Sequence, residues 1–245
     1  MAISDNQDME TVLTDKNAPG THEKVISILM DLPSGRLLDA PSGEGALLQR
    51  INHYHKVVGA DIDENYFKLK SVPFYKVNLN EPLPFEDSSF DYIVCIEGIE
   101  HLENPYLCIR EFTRILKSGG RLVLSTPNIM SIKSRIRYFF YSYHDFFRFI
   151  SLSDDYRHGL PGYEHEHINP MTYQALRYAL NKAGMSIVDI YTNRFVKPKK
   201  LSFFYPLVKS FIISKTRSKA PNDHDLFSNV ILEGEILILH AQKNI

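Results

Sequence analysis

Hydrophobic positions along this chain fall into two alternating patterns. The first is short and nearly continuous: RLLDA at 36–40, KVVGAD at 56–61, FYKVN at 74–78, FDYIVCI at 90–96 and RLVLS at 121–125. Runs of this kind predict strands buried on both faces of a parallel sheet. The second has helical spacing. Val25, Ile28, Leu29 and Leu32 predict a helix from Thr21 to Leu32, stopped by Pro33-Ser34-Gly35. A second helix is expected over about 44–53. A third should start at Asn104-Pro105, place Leu107, Cys108, Phe112, Ile115 and Leu116 on one side, and end at Lys117-Ser118-Gly119-Gly120. Strands alternating with helices predict an α/β protein, a doubly wound parallel sheet with helices on both faces. Ligands of such sheets bind at the carboxyl ends of the strands. Asp39, Asp61, Asn78, Glu97 and Thr126 all fall at such ends.

Between the first strand and its helix lies Pro41-Ser42-Gly43-Glu44-Gly45. Gly43 and Gly45 let the backbone turn sharply and approach a ligand closely. The helix start behind them offers unpaired N–H groups. About twenty residues beyond this loop, the second strand ends in Asp61, where dinucleotide-type folds place a carboxylate for ribose hydroxyls. A carboxylate suits a vicinal diol because it accepts two hydrogen bonds at once. The alternative is a helix N-cap or a surface acid, and Asp63 can also cap the next helix.

Composition narrows the class. At 245 residues and 44% hydrophobic, the chain can build one large core. Residues 1–19 read as a mobile leader and 20–245 as one domain, with an insertion over 127–169. Net charge is −1, so no global attraction to nucleic acid is expected. Cys95 and Cys108 match no metal spacing and read as reduced core thiols of a cytoplasmic protein. The polar, acidic start (MAISDNQDME) does not read as a secretory signal, and no apolar run is long enough to span a bilayer.

LLDAPSGEG, VVGADID, NLNEPLPFEDSSFDYIVCIEGIEHL and REFTRILKSGGRLVLSTPN occur in that order over about 37–128. Together they resemble the class I S-adenosylmethionine-dependent methyltransferases. The resemblance implies a Rossmann-like seven-stranded sheet, mostly parallel, with an antiparallel last strand supplied by 228–241 and the preceding strand by 185–195. It implies S-adenosylmethionine as cofactor. Asp39, Ala40, Gly43 and Gly45 would surround its methionine part and Asp61 its ribose. Ile62 would lie against the adenine, Asn78 and Leu79 at the adenine edge, and Glu97 near the amino acid end. Two positions depart from the family pattern: Pro41 replaces the first loop glycine, and Asn78 replaces an Asp. Asn can still accept a hydrogen bond from the adenine amine.

The loop after the fourth strand reads Glu97-Gly98-Ile99-Glu100-His101. Its oxygen and nitrogen donors suit a divalent metal, which can lower the pKa of a bound hydroxyl. A similar Glu-x-x-Glu-His occurs in quinone-biosynthesis O-methyltransferases and small-RNA 3′-end methyltransferases. In the latter a further histidine comes from a segment after strand five, matched here by His167, with His165 as second choice. This makes Glu97, Glu100, His101 and His167 a candidate site for Mg, Mn or Zn, with Glu100, His101 and His167 catalytic. In the other reading His101 is a metal-free base or caps the Asn104 helix, and Glu97 serves only the cofactor. The histidines at 158, 165 and 167 would then belong to a solvated loop.

The insertion mixes aromatics with Lys133, Arg135, Arg137 and Arg148, and is expected to cover the substrate as a lid. STPN, SRIRYFF and HINPMTYQALRYALNKAGM resemble a bacterial branch associated with surface polysaccharides, which implies a sugar hydroxyl as acceptor. Residues 194–219 hold eight Lys or Arg, no acid, and apolar residues at helical spacing around Pro206. Such a stretch either lies on the anionic inner face of a membrane or packs its apolar side on the sheet or a partner. The expected activity is O-methylation of a small-molecule or glycan hydroxyl. Its rivals are RNA ribose 2′-O-methylation and cofactor binding without catalysis.

Overall fold

The apolar runs become strands because both of their faces find helices. The computed structural model describes residues 13, 17–147, 167–198 and 203–245. In it, β1 (Arg36–Asp39), β2 (Lys56–Asp61), β3 (Phe74–Lys76), β4 (Phe90–Ile96), β5 (Leu116–Pro127), β6 (Met185–Thr192) and β7 (Ile236–Lys243) form one sheet in the order β3-β2-β1-β4-β5-β7-β6. The first five strands are parallel, and β7 runs antiparallel to both β5 and β6. The antiparallel last strand is thus enclosed between neighbours.

Alternate residues of each run enter different layers. Leu38, Ile93, Cys95, Leu122 and Leu124 face α3 (Pro105–Ile115) and α5 (Tyr173–Lys182). Leu37, Tyr92, Val94, Ile96 and Val123 face α1 (Thr21–Met30) and α2 (Ala46–Ile51). The two faces need apolar residues at every position, which is why the strands read as continuous runs. Asn104 caps α3, its side chain accepting from the Leu107 N–H at 3.0 Å, with Pro105 in the first turn where no N–H is needed.

Several boundaries differ from the sequence reading. α2 and β3 are shorter, and β5 starts directly after α3, at Leu116. The first part of 228–241 is helical: the Ser228 side chain accepts from the Ile231 N–H and opens α7 (Asn229–Glu233), so the last strand begins only at Ile236. Leu13 packs on the core beside α1 and its N–H donates to Gln49 Oε1 at 2.9 Å, and Ala18 packs in the same cluster.

The described part of the insertion forms α4 (Ile132–Tyr141), and the basic stretch forms α6 (Tyr205–Lys219) with Pro206 in its first turn. Tyr205, Val208, Ile212 and Ile213 pack against Ile132, Ile136 and Leu232, so α4, α6 and α7 share a small core of their own. The Tyr205 hydroxyl donates to Glu233 Oε1 at 2.8 Å, and Lys209 pairs with the same carboxylate at 2.9 Å. Part of the apolar side of 194–219 is therefore consumed by packing.

Candidate active site

β1 ends at Asp39, and the chain turns through 40–45 into α2. Gly43 and Gly45 sit at φ +53° and +94°, in the left-handed region that other residues avoid. A Cβ on Gly45 would press on Phe67 at 3.0 Å, whereas one on Gly43 would meet nothing within 4 Å. The Gly43 side of the loop is therefore open to a ligand. Its N–H donates to Asp61 Oδ2 at 2.8 Å, while Asp61 Oδ1 accepts from the Ile62 N–H at 2.7 Å. One carboxylate at the end of β2 thus holds the glycine loop against its own strand.

Asp39 is buried, and its Oδ1 has no hydrogen-bond partner among the described residues. Burial, and then the nearby charge of Asp61, push its carboxyl well above the usual range. A buried carboxylate oxygen left unpaired is costly unless something supplies a donor or a positive charge. Asp39 beside the open Gly43 cradle fits the ammonium and sulfonium of S-adenosylmethionine. Ala40 is fully buried behind it, Leu79 is buried, and Ile62 is 39% exposed at the mouth. Asn78 accepts from the Asn80 N–H at 3.0 Å and donates to Glu81 Oε1 at 3.1 Å, so its amide is held in a turn with one acceptor lone pair to spare.

Pro41 has a structural role at its variant position. A Cβ on Gly98 would come within 2.4 Å of the Pro41 ring, so the ring closes on Gly98 and joins the glycine loop to the loop after β4. In that second loop Glu97 has φ +45°. Its N–H donates to Ser125 O and Oγ at 3.1 and 3.0 Å, and its carboxylate accepts from the Ala18 N–H and the Thr21 hydroxyl at 3.1 and 3.3 Å. Glu97 is thereby turned toward the start of α1. It does not join Glu100, His101 and His167, which do form a group: one ligand atom from each lies within 4.8 Å of the others.

Glu100 lies in the short 3-10 turn Ile99–His101 and is fully buried. Neither carboxyl oxygen has a hydrogen bond of full geometry among the described residues, although the Thr126 hydroxyl lies beside it and favours the charged form. Burial dominates and pushes the Glu100 carboxyl up to about 8. The backbone carbonyl of the same residue accepts from the Ile168 and Asn169 N–H groups at 3.0 and 2.9 Å, and Asn169 Nδ2 donates to Leu102 O at 3.2 Å. These three bonds bring the segment after the insertion onto the β4 loop. They set the His167 ring edge-on to His101, 4.6 Å between centroids, with Phe147 behind it at 5.3 Å. His165 and His158 lie outside the described residues. The sequence reading missed Ala18, Thr21, Ser125 and Phe147. Only Ser125, one residue before the strand-end Thr126, carried any positional signal.

Residues 38–124 match the methyltransferase domain family. That match lies within β1 to β5 and leaves the remainder of the chain outside it. A demethylmenaquinone methyltransferase of Bacillus cereus (strain ATCC 10987 / NRS 248) is 30% identical over 155 residues, covering 57% of this chain and 65% of that protein. Its counterpart in Bacillus anthracis (strain CDC 684 / NRRL 3495) matches to the same extent, so the chain spans 65% of the length of these curated relatives. An S-adenosylmethionine-dependent methyltransferase structure from Archaeoglobus fulgidus superposes with a TM-score of 0.57 at 20% identity, covering 91% of this chain and 95% of that one. The [4+2]-cyclase SpnF also superposes, with a TM-score of 0.55 at 17% identity, over 95% of this chain and 86% of that one. The fold alone therefore does not fix the reaction.

Proposed function

We propose that this protein transfers the methyl group of S-adenosylmethionine to a hydroxyl oxygen of a small organic acceptor, a phenol- or quinol-type ring or a sugar. The observation that carries the reading is the Glu100, His101 and His167 group, seated beside the Gly98–Pro41 contact that leads to the glycine loop. The names of the curated relatives, which specify a quinone-type compound, favour the ring.

Asp39, Gly43 and Asp61 would hold the cofactor, which when bound would supply an electrophilic methyl group to the acceptor oxygen. The C–S bond breaks as the C–O bond forms, and the sulfur keeps the electron pair. The hydroxyl proton passes to an imidazole of His101 or His167. Both rings are held in place, His101 by its 3-10 turn and His167 by the backbone bonds to Glu100. Fixed geometry of this kind supplies much of the rate in a reaction whose electrophile the cofactor brings.

The same three side chains fit a divalent cation: two imidazoles and a carboxyl group, with one ligand atom of each within 4.8 Å of the others, are a donor set for Mg, Mn or Zn. Such an ion, when bound, acidifies an acceptor hydroxyl. Transfer of labelled methyl from S-adenosylmethionine to a panel of quinols, catechols and sugars tests the reading. His101→Ala and His167→Ala should each lower turnover at least ~100-fold, as expected for loss of general-base catalysis, while S-adenosylhomocysteine binding stays within about twofold. Wild-type turnover in both variants would refute the assignment. Loss of turnover in chelator, restored by one of the three ions, would add the metal. Full turnover in chelator would leave the imidazoles as bases.

A further inference from the structure

The outer side of the α4–α6 pair is apolar and has no partner in the described chain. Phe139 and Phe140 on α4 are 80% and 69% exposed, and Phe203, Leu207 and Phe211 on or beside α6 are 86%, 69% and 63% exposed. The inward residues of both helices already form a shared core, so these side chains are the opposite face of a packed pair and not loose ends. Exposed large apolar side chains on both helices of a packed pair mark an interaction surface.

Charge selects the occupant. Residues 127–144 and 194–222 contain eleven of the 28 Lys and Arg and none of the 29 Asp and Glu. Some of these cations are internally paired: Lys133 and Arg137 with Asp145, Lys209 with Glu233, and Arg194 with Glu235. Lys215 instead reaches over the Phe211 ring at 5.5 Å, on the exposed side, and Lys219 follows one turn on. We propose that this face docks the protein on an anionic lipid surface, with the aromatic side chains entering the headgroup boundary and the lysines meeting the phosphates. A second copy is the weaker occupant, because a two-fold contact sets the same cationic patch against itself. Among the described residues no helix is long and apolar enough to cross a membrane, which leaves surface binding as the mode. α4 leads within six residues to Phe147, which touches His167. The docked face thus borders the candidate site, and an amphiphilic acceptor would reach it from the lipid; that last point rests on the function proposed above.

The chain contains no tryptophan, so one introduced residue gives a clean signal. Full-length Phe139→Trp and Leu207→Trp would be titrated with vesicles of phosphatidylcholine alone or mixed with phosphatidylglycerol. Tyr178→Trp, exposed on α5, is the control. The expected result is a blue shift in the first two and none in the control, with affinity at least ~10-fold higher for the phosphatidylglycerol vesicles and falling with salt. Phe139→Asp with Leu207→Asp, at positions too exposed to affect folding, should weaken vesicle co-sedimentation at least ~10-fold and leave S-adenosylhomocysteine binding unchanged. No preference for anionic vesicles, or no effect of the double substitution, would overturn the proposal. So would a dimer in sedimentation equilibrium that these substitutions dissociate, which would assign the face to a second copy. Vesicle binding needs no cofactor, so its failure is separable from failure of the proposed reaction.

Discussion

Asp39 and Asp61 end successive strands, yet their environments separate their roles. Asp61 is satisfied by two backbone N–H groups and holds the loop, whereas Asp39 is buried with an unpaired oxygen. A carboxyl whose folded pKa is raised binds its proton more tightly in the native state. Its contribution to stability is complete below the unfolded pKa of about 4 and is lost as pH rises through the folded value. Without ligand, Asp39 therefore weakens the fold near neutral pH. Asp39→Asn should melt higher than wild type there, with the gap shrinking toward pH ~4, and should bind S-adenosylhomocysteine poorly. Melting temperatures across that range check the sign, and parallel curves would contradict it. Both acids were legible because each closes an apolar run. The Thr21–Glu97 contact was not, because it joins residues 76 positions apart with no pattern at either end.

At the scale of elements, β1, β2, β4 and β5 were legible from burial on both faces, which leaves a nearly continuous apolar signature, whereas β3 is a largely exposed edge strand. The C-terminal 228–241 was not legible, since its first apolar residues look like strand and only the Ser228 cap makes them α7. What fixes α7 to the end of β5 is one side chain. Buried Asn128 donates to the carbonyls of Val230, Ile231 and Gly234 at 3.0, 3.1 and 2.9 Å and accepts from the Met130 N–H at 3.1 Å. Asn128→Ala strands those carbonyls and should cost about 3 kcal/mol. In a protein of this size that lowers the melting temperature by roughly 6–12 °C. Asn128→Asp, which removes the donors and adds a charge, should be worse. A shift under about 2 °C for the alanine variant would mean that these bonds are not what seats α7.

Across the whole molecule, the candidate site is assembled from segments far apart in the chain: the glycine loop, the end of β2, the loop after β4, the start of α1, and the residues that follow the insertion. The first three belong to the 38–124 methyltransferase domain and were readable as motifs. The start of α1 arrives through the Ala18 N–H and Thr21 hydroxyl on the Glu97 carboxylate, and the residues after the insertion through backbone bonds from Ile168 and Asn169 to Glu100 O, contacts with no local sequence pattern. The proposed reaction depends on the cofactor lying between Asp39, Gly43 and Asp61. Calorimetric titration with S-adenosylhomocysteine, of wild type and of Asp61→Ala, tests that placement most directly. The account predicts saturable one-to-one binding, weakened at least ~30-fold when the carboxylate that serves both ribose and loop is removed, equivalent to about 2 kcal/mol. Equal affinity in the two proteins, or no binding by wild type, would contradict it.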